Sequence, residues 1–246
     1  MGFVDEDTVR LLREIGTEPL PIYERALTTA CTAGSPPFGE AWYGERYRHY
    51  ASDPTWLAMS LLANAEKEAE GSRKLWDLVA RTPSVAVAEA IRLHAIDESR
   101  HALLYIAMCD LVFPGALEGE IRTYADSLSP RYSSRDRPQS AAELSSDTAV
   151  VDELIQMNIG EIRTRIHQLL MRPIITAHCP SEHHERLFRT LDSLITDESK
   201  HVQYTARLID AADVEPNFVV ETMSARVAEF NVITLAEVGE ARFVGE

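Results

Sequence analysis

Asp97-Glu98-Ser99-Arg100-His101 recurs one hundred residues further along the chain as Asp197-Glu198-Ser199-Lys200-His201. On a helix, Glu and His three positions apart share a face, so each frame turns one carboxylate and one imidazole toward a single point. A lone E-x-x-H arises about once by chance in a chain of this composition and would say little. A repeat inside the same five-residue frame says more: it supplies half of a metal site twice, on two helices. The rival reading, charge decorating two exposed helix faces, leaves the duplication unexplained.

The segments around these frames are rich in Ala, Leu, Glu and Arg and lack strand alternation, which predicts an all-α protein. Asp53-Pro54 is a helix start and Thr82-Pro83 a stop, giving a helix over 54–81. After the short link at Pro83-Ser84, a second helix runs through Glu98 to the Pro114-Gly115 breaker. Such a tight link makes the two helices antiparallel neighbours. Residues 114–147, with Pro130, Pro138 and many Ser and Arg, read as a long crossover containing at most a short helix. Asp147 caps a third helix to about Met171, which Pro173 bends or ends, and Ser181 opens a fourth reaching about Ala212. Two helical pairs joined by one long crossover give the connectivity of a ferritin-like four-helix bundle, with a core over 54–212. Residues 4–50 and 216–240 read as extra terminal helices of the same single domain, 1–246.

A di-metal site in such a bundle needs one further carboxylate from each of the other two helices. On the first, Met59, Leu62, Glu66, Ala69, Arg73 and Trp76 follow helical spacing, which favours Glu66 over its neighbours Glu68 and Glu70. Glu70, one turn further on, is an alternative ligand. On the third, Val151, Leu154, Asn158, Glu161, Arg165 and Gln168 trace the inward face, and Glu161 is its carboxylate. Arg165 either pairs with Glu161 or anchors a substrate carboxylate. His94, one turn before Glu98, reads as a buried, hydrogen-bonded imidazole, with an additional ligand as the alternative. Tyr105 and Tyr204 read as core. His178, Cys179, His183 and His184 crowd around Pro180 without the spacing of a structural zinc site and read as a solvated loop.

Glu66, Glu98 with His101, Glu161, and Glu198 with His201 occur in an order that resembles the ferritin-like di-iron carboxylate superfamily. The chain resembles especially the branch of the soluble hydrocarbon monooxygenases and the ribonucleotide reductase small subunit. The resemblance implies two iron ions, with a manganese–iron pair as a variant, and O₂ as co-substrate. It also implies that Asp97 and Asp197 hydrogen-bond metal-bound imidazoles of other helices and fix their orientation. The implied activity is an O₂-dependent oxygenase or oxidase acting on a small organic substrate, for instance in a biosynthetic pathway, with an external electron donor. No catalytic residue is assigned beyond the metal centre. The alternatives are iron oxidation or peroxide handling in the manner of ferritins and rubrerythrins, and a helical scaffold without activity.

Composition narrows the partners. The net charge of −15, from 39 acidic and 24 basic residues, repels phosphate backbones and anionic headgroups, so nucleic acid and membrane are not expected. The acidic N-terminus lacks a secretory layout, which makes the cytoplasm the expected location. Cys31, Cys109 and Cys179 form no C-x-x-C and read as free thiols. Apolar terminal helices make a homodimer the expected assembly.

Overall fold

The computed structural model describes residues 4–128 and 143–239, and every regular element among them is helical. The α-helices are α1 (Val4–Glu14), α2 (Pro21–Ala33), α3 (Ala41–Ala51), α4 (Pro54–Arg81), α5 (Val85–Val112), α6 (Gly119–Ser127), α7 (Asp147–His178), α8 (His184–Asp210) and α9 (Pro216–Gly239). Single 3-10 turns at Pro37–Gly39 and Ser181–His183 accompany them. None of the described helices is long and apolar enough to cross a membrane.

Helix ends follow local chemistry. The Asp53 carboxylate accepts the backbone N–H groups of Thr55 at 2.8 Å and Trp56 at 3.4 Å, with Pro54 at the first helical position. Ser84 caps α5 by accepting from Val87 N–H. Inside the expected crossover, α6 is the short helix, and Pro130 and Pro138 lie outside the described residues. Pro173 neither ends α7 nor marks its boundary: the helix continues to His178, because losing one N–H in a long helix removes a single backbone hydrogen bond.

The chain divides into two compact units, whose boundaries at 170/171 and 194/195 fall inside α7 and α8. The first unit contains described residues 4–47, 146–170 and 195–239. Its core is built from Leu12, Tyr23, Leu27, Tyr43, Leu154, Ile155 and Met223, all buried. Within it α2 is held at both ends by side chains from distant helices. The Asp210 carboxylate accepts the N–H groups of Ile22 at 2.8 Å and Tyr23 at 3.0 Å, and Asn231 donates to the Gly34 carbonyl at 3.0 Å. These bonds satisfy end groups that α2 cannot pair internally.

The second unit contains described residues 48–128, 143–145 and 171–194. Its centre is the α4–α5 hairpin, with Leu57, Leu61, Leu75, Ile91, Tyr105 and Met108 buried. The buried face of α4 runs through Leu57, Leu61, Ala65, Glu68, Ser72 and Leu75, a stripe rotated from the one that its larger apolar residues suggest. Small residues lie on the inward side because they let two helix backbones approach closely. A Cβ at Gly71 would stand 3.2 Å from the Glu98 carboxylate, tighter than ordinary packing allows. The three cysteines are free and buried.

Candidate metal centre

Each unit contains one triad of two Glu and one His. In the second unit, α4 supplies Glu68, and α5 supplies Glu98 and His101 one turn apart. His101 Nδ1 lies 3.3 Å from Glu98 Oε1 and 3.9 Å from Glu68 Oε2. All three side chains are buried, and one ligand atom from each lies within 4.8 Å of the others, close enough to hold a metal ion. His94, one turn before Glu98, is also buried and brings Nε2 to 3.3 Å from Glu98 Oε1.

Burial pushes the Glu98 carboxyl up. Hydrogen bonds from His101 and His94, the charge of His94 and hydrogen bonding with Glu68 outweigh it, holding the group well below the usual carboxylate range. One turn beyond Glu68, the Ser72 hydroxyl donates to the Ala95 carbonyl at 2.7 Å and shares a 2.6 Å hydrogen bond with Ser99.

The first unit repeats the pattern. Glu161 on α7 joins Glu198 and His201 on α8, with His201 Nδ1 at 3.3 Å from Glu198 Oε2 and 3.6 Å from Glu161 Oε2. These three are buried as well, at 9 % exposure or less. Gln168 donates from Nε2 to Glu198 Oε1 at 2.8 Å, so this carboxylate has its additional polar neighbour on α7, whereas Glu98 has His94 on its own helix. Asn158 braces the triad from below. Its amide donates to the Val202 carbonyl at 3.1 Å and Thr205 Oγ1 at 2.8 Å, its oxygen accepts from Tyr23 at 2.8 Å, and Thr205 in turn donates to the His201 carbonyl.

No protein-family model, curated protein or solved structure matches the chain. What the site can do therefore rests on its own geometry and donor chemistry.

The carboxylate expected at Glu66 requires correction. Glu66 is exposed and reaches Tyr124, whose phenol is pushed up to about 12, first by partial burial and then by the hydrogen bond and charge of Glu66. Glu70 is exposed and paired with Lys74 at 2.7 Å. Glu68 is the α4 carboxylate beside His101. Glu68 lies two positions beyond Glu66, about 200° around a helix, so one face excludes the other.

The remaining assigned residues divide by position. Asp97 is half-buried and accepts from Arg100 at 3.1 Å, and Asp197 is buried and accepts from Lys200 at 3.1 Å, the same i,i+3 contact in both frames. Arg165 does not pair with Glu161: its Nε donates to Ser199 Oγ at 3.1 Å, and no carboxylate among the described residues lies within ion-pair distance of it. Tyr105 is buried, and Tyr204 is half-buried with its hydroxyl on Met157 Sδ. His178 and His184 bond the Ala51 and Cys179 carbonyls, so that cluster is occupied with backbone.

Oxygen and nitrogen donors without thiolate suit a divalent metal ion. A structural reason also exists for a cation. Four buried carboxylates, Glu68, Glu98, Glu161 and Glu198, are costly to keep away from water unless positive charge compensates them. The residues present thus fit a divalent metal. Gln168 was legible as part of an inward stripe but not as a partner of Glu198, because an amide at helical spacing carries no signal of which group it meets.

Proposed function

We propose that this protein is an O₂-activating, non-haem di-iron oxidase or oxygenase acting on a small organic substrate. The observation that carries the reading is the duplicated triad, two Glu and one His with Nδ1 turned to both carboxylates, buried once in each unit. In this reading the chain is a ferritin-like bundle that contains both triads. Glu68, Glu98 and His101 would hold one metal, and Glu161, Glu198 and His201 the other. Four carboxylates balance the charge of two divalent ions, which removes the cost of burying the cluster.

When bound, reduced iron would supply the electrons that dioxygen activation requires. The chain's own residues do the rest. His94 holds the Glu98 carboxylate from one side of the first triad, and Gln168 does the same for Glu198 in the second. Both limit how far these carboxylates swing. The Asn158 network fixes the turn of α8 that carries His201. Ile91 and Ala95, both buried, precede the first frame on α5 and add apolar surface that excludes water.

The test is to load the metal-free protein anaerobically with ferrous iron, count bound ions, and admit O₂ while following absorbance in wild type, Glu98→Ala and Glu198→Ala. Two irons per chain and an O₂-dependent absorbance change lost in both variants are expected. Iron binding indifferent to both substitutions would overturn the reading.

A further inference from the structure

The two triads differ in what stands one turn beyond the first carboxylate. Four residues after Glu68, Ser72 closes the α4 side with its 2.6 Å hydrogen bond to Ser99. Four residues after Glu161, the corresponding position is Arg165, whose Nε reaches Ser199 at 3.1 Å. Two small hydroxyls in one unit are matched by a half-buried guanidinium and a hydroxyl in the other. Beside that guanidinium lies a cavity of about 150 Å³ between α1 and α7, with Leu11, Ile162, Ile166, Leu169 and Val202 as its apolar wall. Two of these wall residues, Ile162 and Val202, directly follow Glu161 and His201 in the chain.

The charges at the cavity are unequally matched. Asp7 and Glu14 also line it, but both are engaged by Arg10, at 2.6 and 3.9 Å. They act on Arg165 only from a greater distance, and burial dominates over their attraction. Arg165 spends Nε on Ser199, and among the described residues no carboxylate lies within 4 Å of the guanidinium. A half-buried guanidinium in that position is a receptor for a planar anion, which it holds through two parallel N–H groups. The volume is about that of a cavity that accommodates one benzene ring.

We propose that this cavity binds a small monocarboxylate with an apolar body. Arg165 takes the carboxylate, and Ile162, Ile166, Leu169 and Val202 take the body. Calling the ligand a substrate rests on the di-iron reading. Binding itself does not.

The probes are benzoate, hexanoate and leucine, each titrated calorimetrically against the amide that lacks its carboxylate charge, with metal-free and iron-loaded protein. At least one acid should bind about tenfold more tightly than its amide, in both metal states. Leucine binding while the other two fail would assign the carboxylate to an amino acid; the reverse would assign it to a simple acid. Arg165→Met should weaken that binding about tenfold or more. Leu169→Trp, which fills the cavity from a partly exposed position and leaves Arg165 in place, should abolish it. Circular dichroism establishes that both variants are folded. If no acid is preferred over its amide, or if folded Leu169→Trp binds as wild type does, the proposal falls. Absence of iron binding with carboxylate binding intact would overturn only the di-iron reading.

Discussion

Glu68 and Glu66 differ by two positions and by everything that matters chemically. Glu68 is buried 3.9 Å from His101 Nδ1, whereas Glu66 is exposed and engaged with Tyr124. Sequence periodicity favours Glu66 because Met59, Leu62 and Trp76 look like a buried stripe, yet those three side chains are only half-buried. Between Leu61 and Leu75 the buried face of α4 carries only Ala65, Glu68, Ala69 and Ser72, residues too small or too polar to register as apolar bulk. Close helix approach selects small residues, so the tightest part of the hairpin has the weakest hydrophobic signal. This difference gives a clean comparison. Glu68→Ala should reduce ferrous iron from two ions per chain to one or fewer, and Glu66→Ala should leave the count at two. Equal loss in both, measured by metal analysis after gel filtration, would remove Glu68 from the site.

At the scale of elements, α4 and α5 are legible to within a residue, since Asp53-Pro54, Thr82-Pro83 and Ser84 are local signals with local causes. The length of α7 is not, because Pro173 carries a breaker signal that packing over a long helix overrides. Nor is the placement of α2 readable in sequence, since its caps, Asp210 and Asn231, are supplied from 188 and 197 residues away. The buried bond from Tyr23 to Asn158 is of the same kind. Removing it leaves the Asn158 oxygen without its donor in a buried setting, which costs about 1–3 kcal/mol. Tyr23→Phe should therefore lower the unfolding free energy by that amount, seen as a lower urea midpoint with an unchanged m-value. Because Asn158 also braces the turn carrying His201, the variant should bind iron more weakly than wild type. A midpoint equal to wild type would show that the Tyr23 hydroxyl contributes nothing to holding α2 on α7.

For the molecule as a whole, the repeated frames were readable from sequence because repetition is a long-range signal that survives in one dimension, and Glu98, His101, Glu198 and His201 are all buried. The carboxylates contributed by α4 and α7 depend on which way a single unrepeated helix is rotated, and there the sequence alone distinguished Glu161 but not Glu68. A buried acidic cluster in a chain of net charge −15 also has a thermodynamic consequence. Metal that binds the folded chain and not the unfolded one adds stability according to its concentration over Kd, about 4 kcal/mol at a thousandfold excess. For a chain of this size each kcal/mol raises Tm by roughly 2–4 °C, so ferrous loading under anaerobic conditions should raise Tm by roughly 8–16 °C. A chelator should reverse the increase. Glu98→Ala removes a charge from the cluster, so its metal-free form should lose less stability than a core truncation of similar size, while most of the metal-dependent gain disappears. Calorimetry of wild type and variant, each with and without iron, separates these two effects. A wild-type Tm that does not respond to iron would mean that the buried carboxylates are compensated within the protein, and that no metal is needed to keep them there.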